Sequence, residues 1–311
     1  MAKENFTHLI IILFCACFFL QNICAQDSAG ENKIESSSEL VLQISTQPEV
    51  KLGFTQKFRF PFLQGESPFT KGNNINLDLS AEVSPVSLNG IVTAVWTPIA
   101  FFEFTAGGRI GTGWNVELFG SEVKGIGLNT DAGHDGSAFD GMLWQARTGG
   151  AFQFDLAALF PGDWNHVVAR SYHEINYSGY TRAKSGESWY YEDDDGENCN
   201  GFNYYGNFLI GYQMPIFLNM AALLAEAGLY LYDTPNRSQW GDDKIGWTFS
   251  GILNFAIVKQ FDVTVITQFK TVRNYTDKNW EKLYYRNRTL DTSNPMRLEF
   301  YRVAAVLTFK F

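Results

Sequence analysis

RLEFYRVAAVLTFKF, residues Arg297 to Phe311, decides the fold. Tyr301, Val303, Ala305, Leu307, Phe309 and Phe311 occupy every second position, with Arg302, Ala304, Val306, Thr308 and Lys310 between them. A strand sends alternate side chains to opposite faces, so one face is oily and aromatic while the other mixes polar, charged and small groups. In an outer-membrane barrel the oily face meets lipid and the mixed face meets the lumen. A closing Phe on such a strand also fits an insertion signal read by the barrel-assembly machinery. Tyr301, Leu307, Phe309 and Phe311 are its expected elements.

The opening of the chain agrees with export. Leu9 to Leu20 (LIIILFCACFFL) is an apolar run of about 12 residues, short of the roughly 20 needed for a transmembrane helix. It suits the core of a signal peptide covering residues 1–25. Residues 26–48 read as a flexible mature N-terminus and 49–311 as the barrel, although Glu39 to Gln47 could form a short strand. Charged residues are 18% of the chain, below the roughly 25% of soluble domains, and aromatics reach 16%. That balance is expected when apolar residues alternate instead of clustering. The net charge of −9 argues against a nucleic-acid partner. Past residue 25 the chain carries Cys199 alone, so no internal disulfide is expected there.

Upstream segments repeat the same alternation. Val50, Leu52, Phe54, Phe58 and Phe60 oppose Lys51, Thr55, Lys57 and Arg59. Phe102, Phe104 and Ile110 oppose Glu103, Thr105 and Arg109. Phe217 to Tyr232 (FLNMAALLAEAGLYLY) by its own residues suits a buried helix as well as a strand, and reads as strand because of its neighbours. Short links at Thr97–Ala100, Phe160–Asn165, Met214–Ile216 and Lys259–Gln260 alternate with long polar ones near 61–74, 114–141, 181–203, 233–244 and 275–296. Short periplasmic turns and long external loops are the outer-membrane pattern. Counting back from Phe311 gives an all-β, up-and-down antiparallel barrel of ten strands, with Ile75 to Thr97 as one long strand across Ser84-Pro85-Val86. If Ser84-Pro85 is a true turn, Glu39 to Gln47 must become a strand to restore parity, and the barrel has twelve.

Three phrases carry a resemblance: Ser84-Pro85-Val86-Ser87-Leu88, Trp96 to Phe104 (WTPIAFFEF), and Ala106-Gly107-Gly108 through Gly111-Thr112-Gly113-Trp114-Asn115. The chain resembles outer-membrane proteins of spirochaetes, especially treponemes, through most of its mature length. The resemblance implies a surface-exposed outer-membrane β-barrel. It carries over no functional residue.

The alternation nominates a charged lumen: Lys57, Arg59, Asp78, Glu82, Glu103, Arg109, Arg147, Asp155, Glu226, Lys270, Arg302 and Lys310. Mixed signs suit internal ion pairing or a narrow pore. Val167 to Tyr177 (VVARSYHEINY) places Ser171 and His173 on the face opposite Arg170, Tyr172 and Glu174. A Ser–His pair raises an embedded hydrolase, yet residues two apart on a strand do not by themselves make a triad. Glu192 to Asn198 (EDDDGEN) is acidic but lacks the calcium-loop pattern, and reads as a solvated loop tip. No enzyme activity, metal or cofactor is expected. The expected role is narrow solute passage or surface structure in the bacterial outer membrane, among its lipids. The competing role is an adhesin binding host extracellular molecules through the long loops.

Overall fold

Glu39 lies opposite Lys310, and from there the first and last strands run antiparallel to Ser45 and Ala304. That pairing closes the sheet on itself, which lets every backbone donor and acceptor in the hydrocarbon find a neighbour. The computed structural model describes residues 34–311 other than 48, 119, 193, 195, 233–236 and 281–282. The proposed leader 1–25 lies outside the described residues.

The barrel strands are β1 (Glu35–Ser45), β2 (Glu49–Pro61), β3 (Asn74–Val83), β4 (Ser87–Ile99), β5 (Phe102–Gly113), β10 (Leu143–Asp155), β11 (Val167–Tyr180), β14 (Gly201–Gln213), β15 (Leu218–Tyr230), β16 (Gly246–Val258), β17 (Phe261–Arg273) and β18 (Met296–Lys310). Each pairs with its predecessor and successor in one antiparallel meander of 12 strands. Short strands decorate the loops: β6 (Val116–Leu118), β7 (Ser121–Val123), β8 (Ile126–Thr130), β9 (Gly133–Asp135), β12 (Ser188–Tyr191) and β13 (Asn198–Cys199).

Ten strands is therefore corrected to twelve. The reason sits at Ser84-Pro85-Val86. Ser84 N donates to the Ser87 carbonyl at 3.0 Å, the two serine hydroxyls are 2.8 Å apart, and Val86 N donates to Ser84 Oγ at 3.2 Å. Pro85 has no N–H to lose, so the serines close a tight turn around it. The extra strand is β1, so residues 35–45 belong to the barrel wall and not to a flexible N-terminus. The added turn also reverses direction upstream. The connection 62–73 falls at the end that carries the start of β1, Phe311 and the links at 100–101, 156–166, 214–217 and 259–260, not among the long loops at the opposite end.

Within Phe217 to Tyr232 the strand β15 spans Leu218–Tyr230: Ala221, Leu223, Ala225 and Ala227 face outward opposite Leu253, Gly251, Phe249 and Trp247 of β16. In β18, Leu307 and Phe309 stand in the outward row, and Phe309 stacks on Phe261 with centroids 4.5 Å apart. Phe311 exchanges backbone hydrogen bonds with Ser38 at 2.9 and 3.2 Å. Tyr301 departs from the row. The register shifts between Gln268 and Phe269, leaving Tyr301 as the extra residue of a bulge. Its ring lies 4.4 Å from Lys270 Nζ and 5.0 Å from the Arg302 guanidinium, and Leu298 and Phe300 take the exposed positions.

Two polar groups on the outward rows satisfy each other locally. Gln56 accepts from the Ser38 hydroxyl and donates to Ser36 Oγ, both at 2.7 Å. Ser171 Oγ is 3.0 Å from His173 Nε2, and His173 Nδ1 is 2.8 Å from the Tyr204 hydroxyl. Phe152, Gly150, Phe208 and Gly206 stand opposite this pair on the neighbouring strands. That is mid-strand on the outward face. The arrangement is a self-satisfied polar cluster.

Candidate functional site: the mouth of the barrel

The inward faces of β2, β4 and β5 place four donors around one point at the loop end. Lys51, Asn89 and Arg109 alternate with outward residues on their strands, and Ser87 opens β4. The Glu192 carboxylate occupies the middle. Lys51 Nζ meets its Oε2 at 3.0 Å; the Ser87 hydroxyl and Asn89 Nδ2 donate to its Oε1 at 2.6 and 3.2 Å. Arg109 Nη2 lies 3.6 Å from that same oxygen. Asn89 is oriented by its own oxygen, which accepts from Arg109 Nε at 2.9 Å and from the Tyr191 hydroxyl at 2.6 Å. Only glycine fits beside it: a Cβ on Gly111 would stand 2.3 Å from Asn89 Oδ1.

The loops bring Glu192 there. β12 and β8 pair in a four-stranded sheet, ordered β13-β12-β8-β9, across the mouth. Ile126, Leu143, Tyr180, Trp189 and Tyr191 form its buried core, which supplies the burial that a polar loop lacks. Glu192 N donates to the Gly125 carbonyl at 2.8 Å, and Glu192 itself takes a φ of 54°, a left-handed state that strains a residue with a Cβ. Gly125 has no room for more: a Cβ would meet the Val86 and Trp114 carbonyls at 2.4 and 2.5 Å.

A second knot ties down the other side. Glu197 pairs with Arg273 at 3.0 Å and Arg288 at 3.4 Å, and Arg273 also reaches Asp242 at 3.2 Å. Arg288 lies over the rings of Tyr275 and Trp280, at 5.5 and 5.0 Å. The acidic run read as a solvated tip is therefore spent at its described positions. Glu192 and Glu197 are in ion pairs, and Asp194 accepts from Tyr191 N and Gly196 N at 3.1 and 2.9 Å. Sequence reasoning had no means to find this, because acids in a loop carry no periodicity that points them inward.

Beneath the mouth lies a cavity of about 690 Å³ inside the barrel, lined among others by Arg109, Gln145, Asn176, Asn203, Tyr205 and Lys270. Farther toward the turn end the lumen charges pair across strands: Lys57 with Glu39 at 2.8 Å, Arg59 with Glu35 at 3.7 Å, Arg170 with Glu103 at 3.1 Å, and Lys310 with Asp262, while Arg302 pairs with Glu49 at the loop end. Asp78 stands opposite Lys57, and Glu82 opposite Gly53. Arg147 donates to Thr93 Oγ1 at 2.7 Å, and Glu226 accepts from the Tyr205 hydroxyl at 2.6 Å. Asp155 ends β10 beside His166, at 2.7 Å. The sequence named these residues singly. The structure supplies Glu35, Glu39, Glu49, Asp262 and Arg170 as partners, three of them on β1 or at the start of β2.

Burial alone would push the Glu192 carboxyl up, but Lys51, the Ser87 hydroxyl and Arg109 outweigh it and hold the group below the usual carboxylate range. A depressed folded value means that the contact is at full strength above the ordinary carboxyl pKa and is lost only as pH falls through the depressed one. The mouth is therefore expected to stay latched on acidification through the usual range near 4.3 and to release only below it. Hydrogen exchange of residues 188–192 against pH measures this. Release at or above the usual value would contradict the pairing.

The chain is similar to the KdgM porin, 11% identical over 88% of this chain and 99% of that one with a TM-score of 0.40. It is similar also to the NanC porin, at 6%, 89%, 100% and 0.41, and to OprD from Pseudomonas aeruginosa, at 10%, 90%, 94% and 0.28. No protein-family model and no curated protein matches the chain. The fold itself rests on the closed pairing of 12 strands, an even number with an apolar outer belt. That closed, even-stranded wall with an apolar outer face is the architecture of a bacterial outer-membrane barrel.

Proposed function

We propose that the protein is a narrow, gated conduit for small polar solutes across the outer membrane. The cavity under a latched mouth carries this reading. Twelve strands enclose more room than the eight whose side chains can fill a barrel, and the inward face is polar. The closure is made by side chains of a loop. Tyr191 ends β12 of the small sheet and Glu192 follows it, so withdrawing them breaks no rung of the barrel. The long loops spend their polar groups on one another and on the mouth, which favours passage over adhesion. Leu307, Phe309 and Phe311 support recognition by the assembly machinery as the route of insertion.

Planar-bilayer recording of the refolded full chain tests the conduit. Small, mostly closed channels are expected from the wild type. Glu192→Gln should raise the open fraction about fivefold or more, the lower end of usual coupling energies. Silent bilayers from both proteins, each with an intact heat-modifiable band, would overturn passage.

A further inference from the structure

The four donors at the mouth are all borne by the wall, and the acceptor at their centre is borne by a loop; the wall carboxylate Glu49 reaches Lys51 only at 3.9 Å and pairs with Arg302. Lys51, Ser87, Asn89 and Arg109 stand on β2, β4 and β5, and Arg109 orients the Asn89 amide from the wall at 2.9 Å beside the second bond from the Tyr191 hydroxyl. Such a set stays assembled when Glu192 leaves. It also holds more donors than Glu192 uses: Arg109 Nη2 is buried with no hydrogen-bond partner and reaches the carboxylate only at 3.6 Å. The occupant, for its part, sits in a left-handed backbone state.

We propose that Lys51, Ser87, Asn89 and Arg109 form a recognition site for the carboxylate of a small polar solute, and that Glu192 is its built-in competitor. The chemistry is that of the contact already made: two donors on one carboxylate oxygen and an ammonium on the other. An incoming carboxylate that takes these donors releases Glu192, relieves its backbone, and so couples binding to opening of the mouth. The rest of the solute would face the cavity wall, where Asn203 Oδ1, buried with no hydrogen-bond partner, offers an acceptor for a hydroxyl. At about 690 Å³ the cavity falls within the usual range for small-molecule sites. This inference rests on the passage reading for its purpose, but not for its chemistry.

The probe is sodium gluconate, with glucose as the uncharged analogue and sodium chloride as the ionic-strength control. On refolded wild-type protein, gluconate should accelerate hydrogen exchange of residues 188–192 about fivefold or more, and glucose and chloride should not. Glu192→Gln, lacking the charged competitor, should bind gluconate in ligand-observed NMR, and adding Lys51→Met should abolish that binding. A heat-modifiable band checks the fold of each variant. Equal acceleration by all three solutes, or gluconate binding that survives Lys51→Met, would overturn the site, as would no response to gluconate in either wild type or Glu192→Gln. A positive exchange response alongside silent bilayers would sustain the site and defeat passage. Conducting channels indifferent to gluconate would do the reverse.

Discussion

Deletion of residues 34–45 is expected to abolish the folded barrel. β1 pairs with β2 along its whole length, Glu35 to Ser45, and with β18 from Glu39 to Ser45. Without it, β2 and β18 each present an unpaired edge to lipid, where every unsatisfied backbone group costs several kcal/mol. A handful of such groups exceeds the 5–15 kcal/mol that holds a typical fold together. The two orphaned edges cannot simply join. Both run antiparallel to β1, so they run parallel to each other, and the antiparallel ladder cannot close on itself. Glu35, Glu39 and their pairings with Arg59 and Lys57 would be lost as well. The refolded protein should lose its heat-modifiable band on gels. A retained band would mean that the wall closes without this strand.

The second large effect separates the two faces of β15. Leu223 is 66% exposed on the outward row, and Leu224 lies beside it on the inward row. Leu223→Arg puts a charge in the hydrocarbon and should cost about 2–4 kcal/mol near the bilayer midplane. Leu224→Arg places the same group in the polar lumen and should cost much less while altering conductance. Urea unfolding in lipid vesicles reads the difference directly. A larger loss for Leu224→Arg would invert the assignment of inside and outside on this strand. The pair also tests the segment whose own residues suit helix and strand alike, because a helix would not set consecutive leucines on opposite sides of a wall.

Much of the barrel was legible because lipid and lumen impose a period of two on every strand. Val303, Ala305, Leu307 and Phe309 announced the lipid face of β18, and Lys57, Glu103, Arg109 and Arg302 announced the inner one. The strand count was not legible. It hung on Ser84-Pro85-Val86, where a proline inside an apolar run is compatible with a bulge or a turn, and the hydrogen bonds between Ser84 and Ser87 decide for the turn. The two readings are linked by parity. Once that turn exists, Glu39 to Gln47 must cross the membrane too, and the connection 62–73 changes ends. Tyr301 was misplaced for a related reason. A strict alternation cannot see a bulge, and one extra residue turned this ring from the lipid row toward Lys270 and Arg302.

The site divides in the same way. Local chemistry was enough to determine a membrane-spanning β-barrel with charges of both signs on its inner wall, because alternation is written in contiguous residues. Only the tertiary structure decided which charges meet. Glu192 lies 141 positions from Lys51 and 105 from Ser87 along the chain. No periodicity spans such distances, and closure of the wall, together with a small sheet built from two separate loops, is what carries one loop carboxylate to donors on three strands.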